Sequence, residues 1–303
     1  MRKALSALSI ATVALAAAPA LAQDGQLKIG MTFQEMNNPY FVSMKEALDE
    51  AAKSLGAEVV VTDAAHDVAK QISDVEDMLQ QNIDILLLNP TDSAGVEAAV
   101  HAAKAQNVIV MAVDANASGP VDTFVGSKNK DAGYQSCKAL AEALNGEGEV
   151  AILDGIPVVP ILQRVEGCKE ALGEHQGIKL VDTQNGRQDR SVALGVVENM
   201  IQSHPNLKGI FSVNDGGAMG ALAAIQGSGQ DIKLTSVDGA PEAVQAIAEG
   251  TAFVQTTAQF PRDQVRVGLA MALAQMWGAR VVPKEAPIDV RPVTKENAAD
   301  FSW

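Results

Sequence analysis

The chain is poor in aromatic side chains, cysteine and histidine. Phe, Tyr and Trp make up 4% of its 303 residues, and there are two cysteines and four histidines. The cysteines form no Cys-x-x-Cys pair, and the histidines have no metal-ligand spacing. A metal or redox site is therefore not expected, and no cofactor is predicted.

The chain also lacks an excess of positive charge and any familiar catalytic motif. It has 23 basic and 37 acidic residues, a formal net charge of -14, which repels nucleic acid and anionic lipid. Gly-x-Ser-x-Gly, the P-loop and His-Glu-x-x-His are all absent. The glycine-rich stretch 214–220 lacks lysine and phosphate-loop spacing, and Asp215 would oppose a phosphate. The sequence therefore argues against a nucleic-acid or nucleotide partner.

The first 22 residues have the three parts of a secretory signal peptide. Arg2 and Lys3 precede a short apolar run, which closes at Pro19 before an Ala-x-Ala site at residues 20–22. The run is shorter than the roughly 20 strongly apolar residues of a membrane span. We expect export to the periplasm, where disulfides can form. Cys137 and Cys168 therefore leave two alternatives open, a single disulfide or two buried thiols.

The remaining chain alternates short β-rich runs with helical patterns. Continuous apolar runs such as 84–88 are typical of parallel strands buried under helices on both faces. The alternation predicts an α/β protein with doubly wound parallel sheets. The series restarts after residue 113, which indicates two similar lobes. The predicted elements include a helix over Pro39 to Leu55 and strands over 27–33, 58–62, 84–88, 108–113, 121–127, 149–153, 178–183, 209–213 and 233–237.

Polar residues follow many of these strands. In open α/β sheets ligands bind at the carboxyl ends of the strands, so polar ends in both halves predict a two-sided polar cleft. Any one of them could instead cap the next helix, as we expect for Asp215. The strand ends in question are Asp63, Asn89, Asp114, Asp154, Asn214 with Asp215, and Asp238.

The segment Asn37 to Phe41 places two adjacent aromatics, Tyr40 and Phe41, between the first strand and the first long helix. One interpretation is that both rings pack into the core. The other is that at least one ring faces the cleft, where a flat aromatic beside carboxylates and amides suits a sugar.

Six segments, in order along nearly the whole chain, resemble ribose-type periplasmic binding proteins of type I. They are residues 37–45, 87–93, 164–167, 211–215, 237–239 and 259–261. The resemblance implies two Rossmann-like lobes joined by a hinge of three strands, which close on a sugar or polyol for an ABC importer. It places the N-terminal lobe at residues 23–127 plus 260–288, and the C-terminal lobe at residues 128–259 plus 289–303.

The resemblance also assigns ligand contacts position by position. It implies first-lobe contacts by Asn38, Tyr40, Phe41 and the carboxylate of Asp114. It implies second-lobe contacts by Arg164, Asn214, Asp238 and Gln259, with Gln188 where a ribose binder has an aromatic ring. No catalytic residue and no metal ligand are assigned, so the protein is expected not to be an enzyme.

The sequence departs from the ribose pattern at Ala115, where many relatives have Arg directly after the aspartate. Gln188 replaces an aromatic ring, and Gln34 and Glu35 add polar groups. Together these departures favour a polyol or a sugar other than ribose as the ligand. The expected partners are the small ligand and the membrane permease subunits, with the protein itself a monomer. The alternatives are a periplasmic carbohydrate-modifying enzyme and a sensory protein that presents its loaded form to a chemoreceptor.

Overall fold

A computed structural model describes residues 25–303, and the predicted signal peptide, residues 1–22, lies outside them. Within the described range the chain forms two six-stranded sheets, each flanked by helices. The sheets are parallel apart from one antiparallel edge strand. This confirms the predicted α/β architecture of two lobes. No helix in residues 25–303 is both long and apolar enough to cross a membrane.

The first sheet has the strand order β11-β5-β4-β3-β1-β2. Its strands are β1 Lys28–Phe33, β2 Glu58–Asp63, β3 Ile85–Leu88, β4 Ile109–Val113, β5 Thr123–Ser127 and β11 Glu285–Ile288, and its helices are α1 Pro39–Leu55, α2 Val68–Gln80, α3 Glu97–Ala105 and α9 Pro261–Met276.

The second sheet has the order β12-β10-β9-β8-β6-β7, and β12 is the antiparallel strand. Its strands are β6 Glu147–Asp154, β7 Gly177–Asn185, β8 Leu207–Ser212, β9 Lys233–Asp238, β10 Phe253–Ala258 and β12 Arg291–Thr294. Its helices are α4 Asn129–Ala143, α5 Val159–Gly173, α6 Arg190–Ser203, α7 Asp215–Ser228 and α8 Pro241–Ala248. A 3-10 turn follows at Ala298–Asp300.

The chain described here passes between the sheets at three places. These are the steps from β5 to α4, from β10 to α9, and from β11 to β12. Lys128 at the first step and Asp289 at the third form an ion pair, 2.6 Å apart. The lobe boundaries inferred from the sequence remain a prediction, and the crossings are the natural points about which two lobes could rotate.

Local sequence explains the elements that carry the cleft. The side chain of Asn38 caps α1 by accepting from the backbone of Tyr40, and Pro39 opens the helix. Gly56 ends α1 at φ 64°, a left-handed conformation that suits glycine. Strands β10, β11 and β12 were not assigned from the sequence. The last two are four-residue edge strands that contain proline, which weakens a strand pattern.

Cys137 of α4 and Cys168 of α5 form a disulfide with a Cα–Cα distance of 4.9 Å. Of the two alternatives left open by the sequence, the structure has the bonded one. The two helices pack closely, because the carbonyls of Arg164 and Lys130 lie where a β-carbon on Gly133 or Gly167 would stand. The disulfide therefore ties together two helices of the second lobe and leaves the crossings unconstrained.

Candidate ligand-binding site

The carboxyl ends of both sheets face one another across a cleft. An inner cavity of about 20 Å³ is lined by both lobes, and an outer pocket of about 680 Å³ continues to the surface. All nine residues predicted as ligand contacts line the inner cavity: Asn38, Tyr40, Phe41, Asp114, Arg164, Gln188, Asn214, Asp238 and Gln259. Their role as ligand contacts stays a prediction, but the structure brings them together.

Asp114 is the buried carboxylate of the first lobe. Its Oδ1 accepts from the hydroxyl of Tyr40 at 3.0 Å, and its Oδ2 accepts from Asn89 at 3.2 Å. Gln264 of α9 donates in turn to the Tyr40 hydroxyl and to Ser127, both at 2.8 Å. Asp114 is thus held directly by Tyr40 of α1 and by Asn89, and indirectly by Gln264 of α9 through the Tyr40 hydroxyl.

Arg164 and Asp238 form a buried ion pair in the second lobe. The Arg164 Nη1 lies 3.3 Å from Asp238 Oδ1 and donates to the carbonyl of Val213 at 2.8 Å. Its Nε donates to Asn129 at 2.8 Å. Gln259 donates to the same Asp238 oxygen at 2.8 Å. These hydrogen bonds hold a cation and an anion side by side, a pair suited to hydroxyls that both donate and accept.

Asp114 and Asp238 both have an unusual backbone conformation. Asp114 follows β4 with φ 69°, and Asp238 ends β9 with φ 139°. Such positive φ values are uncommon for residues other than glycine and cluster at functional sites. The two sheets therefore present a carboxylate in the same way, one from each side of the cleft.

Three of the predicted contacts also support the loops that carry them. Asn38 caps α1 and Asn214 caps α7, where it accepts from Gly217 at 3.0 Å. The expectation that Asp215 caps this helix is wrong, because Asp215 is its first residue and Asn214 is the cap. Gln188 accepts from the backbone of Ile156 at 3.3 Å.

Two buried amide oxygens in the cavity have no hydrogen-bond partner among the described residues. They are Oε1 of Gln34 in the first lobe and Oε1 of Gln259 in the second. An unpaired buried acceptor costs about 1–3 kcal/mol. Each lobe therefore has one unpaired amide oxygen on a residue that lines the cavity.

Burial dominates the electrostatics of the carboxylates. Burial raises the pKa of Asp114, and the positive charge of Arg164 opposes this rise. Burial also raises the pKa of Asp238, to about 6. The pKa of Asp215 rises to about 7 through burial and the neighbouring charge of Asp238. At the outer pocket, the hydrogen bond that His66 donates to the Glu35 carboxylate raises the pKa of His66. The inner site thus holds acids that favour a partner able to donate hydrogen bonds.

The walls of the inner cavity are partly apolar. Tyr40 and Phe41 are each 3% exposed, so they pack into the first-lobe core and also line the cavity. The two interpretations of this pair are therefore compatible. The opposite wall comes from the start of α5, where Val158 and Ile161 are buried. The sequence analysis missed this wall, although the apolar run after β6 marks it.

The other polar residues at the strand ends do not line the cleft. Asn89 orients Asp114, whereas Asp63 and Asp154 bond to nearby backbone and line neither part of the cleft. Within residues 25–303 no group of three or more His, Cys, Asp or Glu side chains is arranged to hold a metal ion. The arrangement is thus one of hydrogen-bonding side chains around a small enclosed space.

Comparison with known proteins agrees with this geometry. Residues 29–279 match the family described as "Periplasmic binding protein domain". The chain is 37% identical to the ribose import binding protein of Bacillus subtilis over 225 residues, 74% of this chain and 73% of the relative. The corresponding Escherichia coli protein is 32% identical over 300 residues, covering 98% and 99%. The myo-inositol binding protein of Caulobacter, solved with myo-inositol bound, superposes with a TM-score of 0.86 at 27% identity, covering 92% of this chain and 97% of that one.

Proposed function

This chain belongs to the periplasmic binding protein domain family, and we propose that it captures a sugar or polyol between its lobes and delivers it to an ABC importer. One observation carries the proposal. Asp114 of one lobe, and Arg164 with Asp238 of the other, converge on a single enclosed cavity. Carboxylates beside a guanidinium match hydroxyl groups, which donate to the former and accept from the latter.

Binding in the inner cavity requires the lobes to move. A cavity of about 20 Å³ holds roughly one water molecule, whereas pockets for small ligands measure roughly 300–1,000 Å³. The solute therefore enters an open cleft, and rotation about the three crossings completes its hydrogen-bond shell. The free oxygens of Gln34 and Gln259 then gain donors from the ligand.

The pocket favours a polyol or a sugar other than ribose. Ala115, which is 1% exposed, lines the cavity directly after Asp114 and brings no donor. Gln188 lines the second-lobe side with an amide in place of a flat ring. A ligand with several hydroxyls and little need for stacking fits these walls.

The signal peptide, residues 1–22, would export the chain to the periplasm. There it would act as a monomer whose closed form is recognised by the membrane permease subunits of the importer. Presentation of the same closed form to a chemoreceptor is a second use that this surface would allow. A carbohydrate-modifying enzyme is disfavoured, because the family match and the similar curated proteins are binding proteins.

A ligand screen tests the proposal. Purified mature protein is titrated by calorimetry with D-ribose, xylitol, erythritol and myo-inositol, and its melting temperature is followed with each. Binding to the folded state raises the melting temperature by mass action. We expect at least one polyol to bind and to be recovered unchanged by mass spectrometry. Failure of all sugars and polyols to bind, or conversion in excess over protein, would refute the proposal.

A further inference from the structure

Trp303 contacts one residue from each lobe, and both of these residues line the inner cavity. Its indole Nε1 donates to the backbone carbonyl of Asp238 at 3.0 Å. Its ring meets the ring of Tyr40 edge to face, with centroids 5.8 Å apart at 81°. Asp238 ends a strand of the second sheet, and Tyr40 lies on α1 of the first lobe.

The chain just before Trp303 changes lobe. Ala298 and Phe301 pack against the second-lobe core, with Phe301 6.4 Å from the ring of Phe260 at a crossing. Trp303 packs against the first-lobe core instead. A single residue, Ser302, therefore separates a side chain packed on the second lobe from the Trp303 indole packed on the first.

We propose that Trp303 is a positioning residue which bridges the closed lobes and sets the two carboxylates of the site. The inference rests on the proposed function. The indole ring packs against Tyr40, whose hydroxyl donates to Asp114. The indole N–H donates to the backbone carbonyl of Asp238. Asp238 has the strained φ of 139°, so a donor on its carbonyl helps to keep its carboxylate aimed at Arg164 and Gln259.

The bridge has a thermodynamic consequence. Both contacts form together only when the lobes are close, so they favour the closed state and hence ligand retention. Replacing the indole by phenyl in Trp303→Phe keeps an aromatic edge but removes the donor. We expect ligand affinity to fall about 3- to 10-fold, as for one neutral hydrogen bond. In Trp303→Ala the aromatic contact is lost as well, and affinity falls about 10- to 100-fold.

The two tryptophans of the chain make the test direct. Trp277 is 75% exposed at the end of α9, away from the cleft, and Trp277→Phe leaves Trp303 as the only indole. Titration of that variant with D-ribose, xylitol, erythritol and myo-inositol should change its fluorescence at the concentrations at which calorimetry detects binding. Trp303→Phe, which retains Trp277, should show no such change, and its dissociation rate should rise.

The outcomes separate the two proposals. Heat of binding without a Trp303 fluorescence change, and with Trp303→Ala affinity equal to wild type, would overturn the bridge but not the function. If no sugar or polyol binds, the proposed function fails, and solution scattering of the unliganded proteins decides the bridge. The bridge then requires a larger radius of gyration for Trp303→Ala than for wild type, and equal radii would overturn it.

Discussion

Arg164 and Asp238 form an ion pair of 3.3 Å whose side chains are 5% and 7% exposed. Both side chains are therefore largely buried, and the guanidinium also donates to the carbonyl of Val213 and to Asn129. Because the pair is buried, the removal of one partner leaves the other charge without compensation. The arginine is therefore part of the interior of the second lobe as well as of the cavity lining.

Arg164→Ala should weaken ligand binding about 30- to 1,000-fold, since it deletes charged donors and leaves Asp238 unpaired. It should also lower the free energy of unfolding by about 3 kcal/mol. Calorimetry and urea unfolding measure the two effects. Lys130→Ala is the control, because Lys130 pairs with Glu166 and Glu170 at the surface and should leave both properties near wild type. Near-wild-type affinity in Arg164→Ala would remove this residue from the site.

The sequence predicted most of the fold because buried parallel strands leave a clear local pattern. Helix α1 begins and ends where its cap and glycine place it, at Pro39 and Leu55. Asp114 and Asp238 were found because each directly follows or ends an apolar strand. Trp303 and Gln264 were not found, because their contacts join distant parts of the chain and have no local signature. For Cys137 and Cys168 the sequence left a disulfide and two buried thiols open, because the distance between their helices has no local signature.

Stability should fall as the pH rises from about 4 to 7, through the buried pair Asp215 and Asp238. Burial raises their pKa values to about 7 and about 6, above the ordinary carboxyl value of about 4. The folded state therefore binds more protons than the unfolded chain across this window, so the stabilisation is present below it and lost above it. Urea unfolding at pH 5 and pH 8 measures the difference.

Asp215→Asn provides the control for this pH effect. Asparagine can accept from the backbone of Ala240 and donate to the hydroxyls of Ser236 and Thr256, which replaces the contacts of the carboxylate. The fall in stability between pH 5 and pH 8 should be smaller in this variant. The raised pKa of His66 acts in the same direction in both proteins and cancels in the comparison. An identical pH dependence in the two proteins would contradict the assignment.

Loss of the disulfide should lower stability but spare binding. The bond closes a loop with a sequence separation of 31, for which constraint of the unfolded chain is worth about 3–4 kcal/mol. The double variant Cys137→Ala with Cys168→Ala should lose about that much in guanidinium unfolding. Its ligand affinity should stay within about twofold of wild type, because both residues lie on α4 and α5 and neither lines the cleft. Two reactive thiols in denatured, periplasmically expressed wild-type protein would rule the bond out.

Ala115→Arg tests which solute the cavity is shaped for. Ala115 is 1% exposed and lines the inner cavity beside Asp114, so an arginine there would extend into the space that the ligand occupies. The Asp114 carboxylate would offset the charge of the new arginine, so we expect the variant to fold. We expect the polyol bound by the wild type to lose at least about tenfold in affinity, and D-ribose to bind relatively better. Ala115→Ser, which adds little volume, is the matched control and should bind like the wild type. If Ala115→Arg retains full affinity for the wild-type ligand while its melting temperature is unchanged, the ligand does not reach residue 115, and the case for a solute other than ribose loses its main structural support.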